Sequence, residues 1–446
     1  MTATLPPATR PAVTVRGHWI DDWRPEDREF WNSTGAPIAR RNLIFSIFSE
    51  HIGFSVWTMW SVLVLFLGPQ YGIDPAGKFL LTAVPALVGS VLRIPYTFAV
   101  ARFGGRNWTI ISASLLLIPS FLAAFLIQPG VSYTTLLIIA AVAGVGGGNF
   151  ASSMANINAF YPDRLKGWAL GINAGGGNLG VAAVQLVGLF VLATFGAGSP
   201  GIVAGIYIPL IVVATAGSAL YMDNLTQARN EKRGMRDATR DSHTWIMSFL
   251  YIGTFGSFIG FGFAFGQVLQ VQFAEQFNTP VKAAYLTFLG PLLGSLIRPV
   301  GGALADRLGG AKVTFWNFVA MAGGASIVLL ASQLRSLPLY LVGFISLFVF
   351  SGVGNGSTYK MIPAIFRARN LHDDHEARRL SGAVIGIAGA IGAFGGVLVN
   401  LAFRQSFLTY QTADAAYLAF IAFYAVCVLV TWTVYLRPSE RSLPGV

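Results

Sequence analysis

Long apolar runs alternate along the chain with short stretches carrying charge, glycine or proline. A helix needs about 20 apolar residues to cross a hydrocarbon core of roughly 30 Å, and runs of that length recur from one end to the other. They predict twelve membrane-spanning helices, at residues 43–66, 79–101, 108–127, 134–159, 168–193, 203–222, 246–270, 283–305, 313–332, 338–366, 381–402 and 411–435. The longest polar internal stretch, Asp223 to His243, separates six predicted helices from six. The expected organisation is all-α: a polar N-terminal segment (1–42), a six-helix half (43–222), a linker (223–245), a second six-helix half (246–435) and a short tail (436–446).

Composition supports the membrane class. Hydrophobic residues make up 54% of the 446 and charged residues 11%, against about 25% charged in soluble domains. The net charge of +11 would suit a nucleic-acid partner, but its distribution excludes one. Twenty-three of the 30 lysines and arginines fall on the N-terminal segment, the even-numbered loops and the tail, four fall on the opposite loops, and Arg93, Arg298 and Lys360 lie within predicted helices. That asymmetry predicts a multi-pass protein of the cytoplasmic membrane with both termini inside.

Residues 1–42 lack the apolar core of a signal peptide. The stretch His18 to Trp31 mixes tryptophan with charge and is expected to lie as a short helix on the cytoplasmic membrane surface. A single cysteine, Cys427, leaves no intrachain disulfide. The five histidines show no zincin spacing and no Ser/His/Asp set is evident; His372 and His375, beside Asp373 and Asp374, read as a solvated loop. An enzyme is therefore not expected, nor a metal or cofactor.

The two halves repeat one another. Gly-Ser-x-x-Arg at 89–93 recurs at 294–298, and Arg102-x-Gly104-Gly105 recurs at Arg307-x-Gly309-Gly310, both at an offset of 205. GVGGGN from Gly144 parallels GVGNGS from Gly352, and GINAGGGNLG from Gly171 has a looser echo in GIAGAIGAFGG from Gly386. Four matches in the same order indicate one unit written twice, the organisation of carriers whose halves rock about a central site. The glycine-rich stretches allow helices to approach closely in lipid. Gly175-x-Gly177-x-x-Gly180 formally fits a dinucleotide fingerprint, but it lies in an apolar span with no preceding strand.

The repeat pairs two expensive residues, Arg93 and Arg298, neither with an acidic neighbour in sequence. An ionised side chain at bilayer depth costs about 2.5–3.5 kcal/mol on insertion scales and marks a substrate or ion pathway. Two such cations at equivalent places call for an anion between them. The loop Gly302-x-x-x-Asp306-Arg307-x-Gly309-Gly310 is the other conspicuous motif; its first-half copy keeps Arg102 but has Ala101 where Asp306 would stand. Its carboxylate can accept from helix-end amides or pair with basic groups while the glycines permit a tight turn, latching one gate conformation.

The loop motif resembles that of the major facilitator superfamily. LRIPYTF, FGGRNWT, GGGNFASSMANI, NAGGGNLG, TFGSFIGF and GGALADRLGG, with DDWRPED and IARRNL near the N-terminus, closely resemble the nitrate/nitrite porter family within it, over residues 18 to 435. The resemblance implies carriage of nitrate and nitrite by a monomer with no cofactor. It implies Arg93 and Arg298 as the anion clamp, Asn178 as a neutral hydrogen-bonding partner, and Phe54, Phe150, Tyr251 and Phe255 as walls, Tyr251 offering its hydroxyl. Nitrate and nitrite are small planar monoanions, and a guanidinium fork suits paired contact with two oxygens. At about 4 Å and an effective dielectric near 20, each arginine contributes roughly 4 kcal/mol of attraction, comparable to its burial cost.

The energising step stays open in the sequence. Helices 2, 4, 5, 8 and 11 carry no carboxylate or histidine in their interiors, which favours exchange of nitrate for nitrite. Glu50 and His51 in helix 1 and Lys360 in helix 10 are the candidates for proton coupling. For Glu50 the competing expectation is a snorkelling or locally paired residue; for Lys360, an added charge on the anion path. A receptor that binds the anion without moving it is the alternative from another class.

Overall fold

The computed structural model describes residues 15–227, 232–369, 374–438 and 443. We number the main helices α1 (Ala36–Thr58, continued after Met59 by Trp60–Phe66), α2 (Pro75–Phe103), α3 (Gly105–Leu126), α4 (Tyr133–Phe160), α5 (Asp163–Phe195) and α6 (Pro200–Tyr221) in the first half. The second half holds α7 (Ser242–Gln272), α8 (Pro280–Leu308), α9 (Gly310–Gln333), α10 (Leu337–Arg369), α11 (Asp374–Tyr410) and α12 (Asp414–Leu436). Among the described residues, eleven helices, α2 to α12, are long and apolar enough to cross a membrane. The predicted first run, 43–66, falls on α1, whose amino-terminal turns carry Arg40 and Arg41 and whose middle carries Glu50.

Side-chain caps fix where several helices begin. Asp74 accepts from the Gly77 amide at 2.7 Å, Ser132 from Thr135 at 3.1 Å and Asp241 from His243 at 2.8 Å, each satisfying a donor that the first helical turn leaves free. The repeat is visible in the backbone. Gly104 and Gly309, 205 residues apart, end α2 and α8 in the same way, with φ of 87° and 93°, a region that glycine enters without strain. The equivalence places Arg93 and Arg298 on corresponding helices, each close to a proline, Pro95 or Pro299, that interrupts backbone hydrogen bonding.

The halves meet along α2 with α11, α5 with α8, and α1 with α7. On the side away from the linker they interlock: Thr82 donates to Asn400 Oδ1 at 2.8 Å, Gln267 to the Pro75 carbonyl at 2.6 Å, and Phe79 stacks on Phe403 and Phe407. On the linker side they part around a cavity of about 550 Å³.

Residues His18 to Trp31 depart from the expected surface helix. Strand β1 (Val15–Arg16) pairs antiparallel with β2 (Trp19–Ile20), which pairs in parallel with β3 (Asn224–Leu225) just after α6. Trp23, Phe30 and Trp31 are buried against Ile157, Phe160 and Tyr161, and Trp23 Nε1 donates to the Phe160 carbonyl at 3.1 Å. The tryptophans thus find a protein surface at the ends of α4 and α5 instead of a lipid headgroup layer. Asp223 fastens the junction, accepting from Arg41 at 2.6 Å and Asn42 at 3.1 Å. The linker helix Lys232–Arg240 sits against α11, and Arg379 bonds Asp237 at 2.7 Å. Of the histidine-aspartate stretch in the α10–α11 loop, His372 and Asp373 lie outside the described residues.

Candidate functional site

Arg93 is 1% exposed, at the inner end of the cavity. Its Nε donates to the Gly147 carbonyl at 3.1 Å and its Nη1 to the Gly389 carbonyl at 2.8 Å. Gly147 belongs to a tight 3-10 turn, Gly144–Gly148, within α4, so the glycine run shapes the helix where the guanidinium docks. Four rings surround the cation: Phe150 at 4.6 Å, Phe255 at 5.0 Å, Trp57 at 5.5 Å and Phe54 at 6.0 Å from its Cζ. Their faces attract a cation that has lost its water.

Arg298 is 8% exposed. Its Nη2 donates to the Tyr251 hydroxyl at 3.3 Å, and its Cζ lies 5.3 Å from the Tyr359 ring. Tyr251 stacks on Phe255 with centroids 5.3 Å apart, and Phe255 faces Arg93. The two arginines are therefore joined through two stacked rings. Both rings stand at the π-helical turn Ile252–Gly256 that interrupts α7, a feature frequent at functional sites.

One terminal NH2 group on each arginine is left over. Arg93 Nη2 and Arg298 Nη1 are buried and meet no acceptor among the described residues. Buried charge-bearing donors without acceptors are costly, so an acceptor of opposite charge fits both. Asn178 is 1% exposed, and among the described residues neither of its amide atoms meets a hydrogen-bond partner, the two arginines included.

The remaining expected residues divide. Glu50 does not snorkel: it is 1% exposed and its Oε2 accepts from Asn173 Nδ2 at 2.7 Å. His51 Nδ1 lies 3.0 Å from the Gly176 carbonyl. Lys360 bonds Asp306 Oδ2 at 2.9 Å, with both side chains about half exposed, so it completes the loop motif and does not line the cavity. Gly302 is buried beneath it, while Arg307 and Arg102 are exposed. Trp57, Tyr359 and the carbonyls of Gly147 and Gly389 were not among the expected site residues. In a chain with 34 phenylalanines, 14 tyrosines and 51 glycines, type alone marks none of them.

Residues 43–400 match the family model of the Major Facilitator Superfamily. The chain is 36% identical to the Nitrate/nitrite transporter NarU of Salmonella typhimurium, over 97% of this chain and 99% of that one. The chain belongs to the nitrate/nitrite porter family of the Major Facilitator Superfamily. This porter is also 35% identical to the Probable nitrate/nitrite antiporter NarK2 of Thermus thermophilus, over 95% of its own length and 98% of the relative's. Among solved structures, the porter's fold is similar to that of a D-xylose-proton symporter, with a TM-score of 0.67 at 14% identity over 88% of this chain and 96% of that one.

Proposed function

We propose that this porter carries nitrate and nitrite across the cytoplasmic membrane by alternating access, with Arg93, Arg298, Tyr251 and Asn178 binding the anion inside the aromatic cage. The observation that supports this reading most strongly is the pair of buried guanidinium groups, each with one terminal NH2 nitrogen meeting no acceptor among the described residues. A planar monoanion between them accepts from both, and the rings exclude water that would compete for it. With α1 as the twelfth crossing and both termini cytoplasmic, an orientation the positive-inside asymmetry supports, the cavity faces the cytoplasm and the far-side interlock closes the outer face. The halves then rock about the cage, and a monomer suffices because both arginines come from one chain.

Exchange of nitrate for nitrite is the mode the cage supports by itself. An empty cage leaves two cations buried without a counter-charge, so the halves reorient most readily when loaded. Nitrate entry into nitrite-loaded proteoliposomes tests this; a porter that binds nitrate without moving it would be a receptor instead. A second reading, proton-coupled symport, is favoured by one observation, the buried carboxylate of Glu50 on α1.

A further inference from the structure

Among the described residues that line the cavity, two carry a buried side-chain polar atom that meets no partner. One is Arg93, through Nη2, half of the anion clamp. The other is Tyr359 on α10, through its hydroxyl. The Tyr359 ring lies 5.3 Å from Arg298 Cζ and tilts against Tyr251 with centroids 5.4 Å apart, so this residue joins the clamp to the cavity wall. Gly389, whose carbonyl accepts from Arg93 Nη1 at 2.8 Å, lines the same cavity.

A buried hydroxyl without a partner is costly, and the other polar groups of the cage differ from it. Tyr251 already accepts from Arg298 Nη2 at 3.3 Å. Asn178 is unpartnered among the described residues but does not line the cavity. The repeat sets Tyr359 apart as well. Extending the match of GVGGGN with GVGNGS by two residues places Ala151 of α4 opposite Tyr359 of α10, and both line the cavity. The two arginines are equivalent under the repeat, whereas this hydroxyl comes from the second half alone.

That asymmetry suits a trigonal ligand. Nitrate has three oxygens and nitrite two, so two oxygens of either anion can meet the pair of guanidinium groups, and what nitrate adds is a third. We propose that the Tyr359 hydroxyl donates to this third oxygen and thereby sets the carrier's preference for nitrate over nitrite. The proposal rests on the anion-carrier reading and names what selects between its two substrates. With nitrite in the cage the clamp is filled but the hydroxyl stays unpaired inside the protein. A site built to bond one group of its substrate discriminates in this way against an analogue that lacks the group. The bond has an anionic acceptor and so belongs to the stronger, charge-assisted kind. The ring, which faces Arg298, serves both anions alike. Nitrite is still carried, held by the clamp.

Titration calorimetry on the purified full-length porter, with nitrate and nitrite as the two probes, tests this. The wild type is expected to bind nitrate about tenfold more tightly than nitrite, the worth of one hydrogen bond to a charged group. Tyr359→Phe keeps the ring over Arg298 and removes only the hydroxyl. Nitrate affinity is expected to fall about tenfold and nitrite affinity to stay within about twofold. Because the hydroxyl meets no partner among the described residues, the melting temperature is expected to hold. Tyr359→Leu, which removes ring and hydroxyl together, is expected to weaken both anions and to lose the preference as well, and it serves where Tyr359→Phe is not recovered folded. A nitrate preference in these variants equal to that of the wild type, whether both affinities hold or both fall together, overturns the proposal. So does a wild type that binds the two anions equally. A wild type that binds neither overturns the anion-carrier reading instead.

Discussion

Arg93 on α2 donates to the Gly389 carbonyl on α11 at 2.8 Å, so the cation of one half is tied to the backbone of the other. The same guanidinium donates through Nε to α4, and its Nη2 meets no acceptor among the described residues. One side chain thus spans the interface about which the halves are proposed to rock. An anion at Nη2 would pull on a group already bonded to both halves, so anion occupancy and the geometry of the interface become coupled through this residue.

Tyr251 provides the cage's hydroxyl. Tyr251→Phe keeps the stack on Phe255 and removes only the acceptor facing Arg298. A neutral hydrogen bond contributes about 0.5–1.5 kcal/mol, so nitrate affinity is expected to fall roughly two- to tenfold with the melting temperature unchanged. Binding titration beside a thermal melt measures both, and unaltered affinity would remove Tyr251 from the site.

Thr82 and Asn400 hold the far side closed. Asn400→Ala is expected to shift the population away from the state described here by about two- to tenfold, the worth of one such bond. A Met154→Cys reporter on the cavity wall can be alkylated from the linker side, and buried Cys427 adds little background. Slower alkylation in Asn400→Ala is the expected result.

Lys360 pairs with Asp306 at an exposed position, where an ion pair contributes about 0–1 kcal/mol. Lys360→Gln should leave nitrate affinity within about twofold, as expected for such a weak surface pair. A large loss would restore Lys360 to the anion path.

Trp23 anchors the N-terminal strap between Phe30 and Phe160. Trp23→Ala is expected to destabilise by about 3–5 kcal/mol, the range for deleting a buried aromatic. Faster proteolysis within residues 15–35 would report it, and wild-type resistance would show that the packing contributes little.

Much of this architecture was legible in the chain, because membrane spans and their repeat are written in local pattern. The 205-residue offset pairing Arg93 with Arg298 reappears as Gly104 and Gly309 sharing one backbone conformation. The strap was misread for the converse reason. Trp23 and Trp31 look alike whether lipid or protein covers them, and only the pairing of Trp19 with Asn224, 205 positions away in sequence, decides between the two. Within the site, charge at depth announced the arginines. The carbonyls of Gly147 and Gly389 could not announce themselves, since every residue has one. Glu50 stood out as a carboxylate, but its partner Asn173 comes from another helix.

The central claim is that Arg93 and Arg298 grip the anion by their forks and not by charge alone. Nitrate uptake by proteoliposomes bearing Arg93→Lys or Arg298→Lys tests it most directly, because lysine keeps the charge and lacks the planar pair of donors. Charge-assisted hydrogen bonds contribute about 1.5–3 kcal/mol, so each variant is expected to lose roughly ten- to a hundredfold in nitrate affinity. Uptake by both variants at the wild-type rate and affinity would contradict the account.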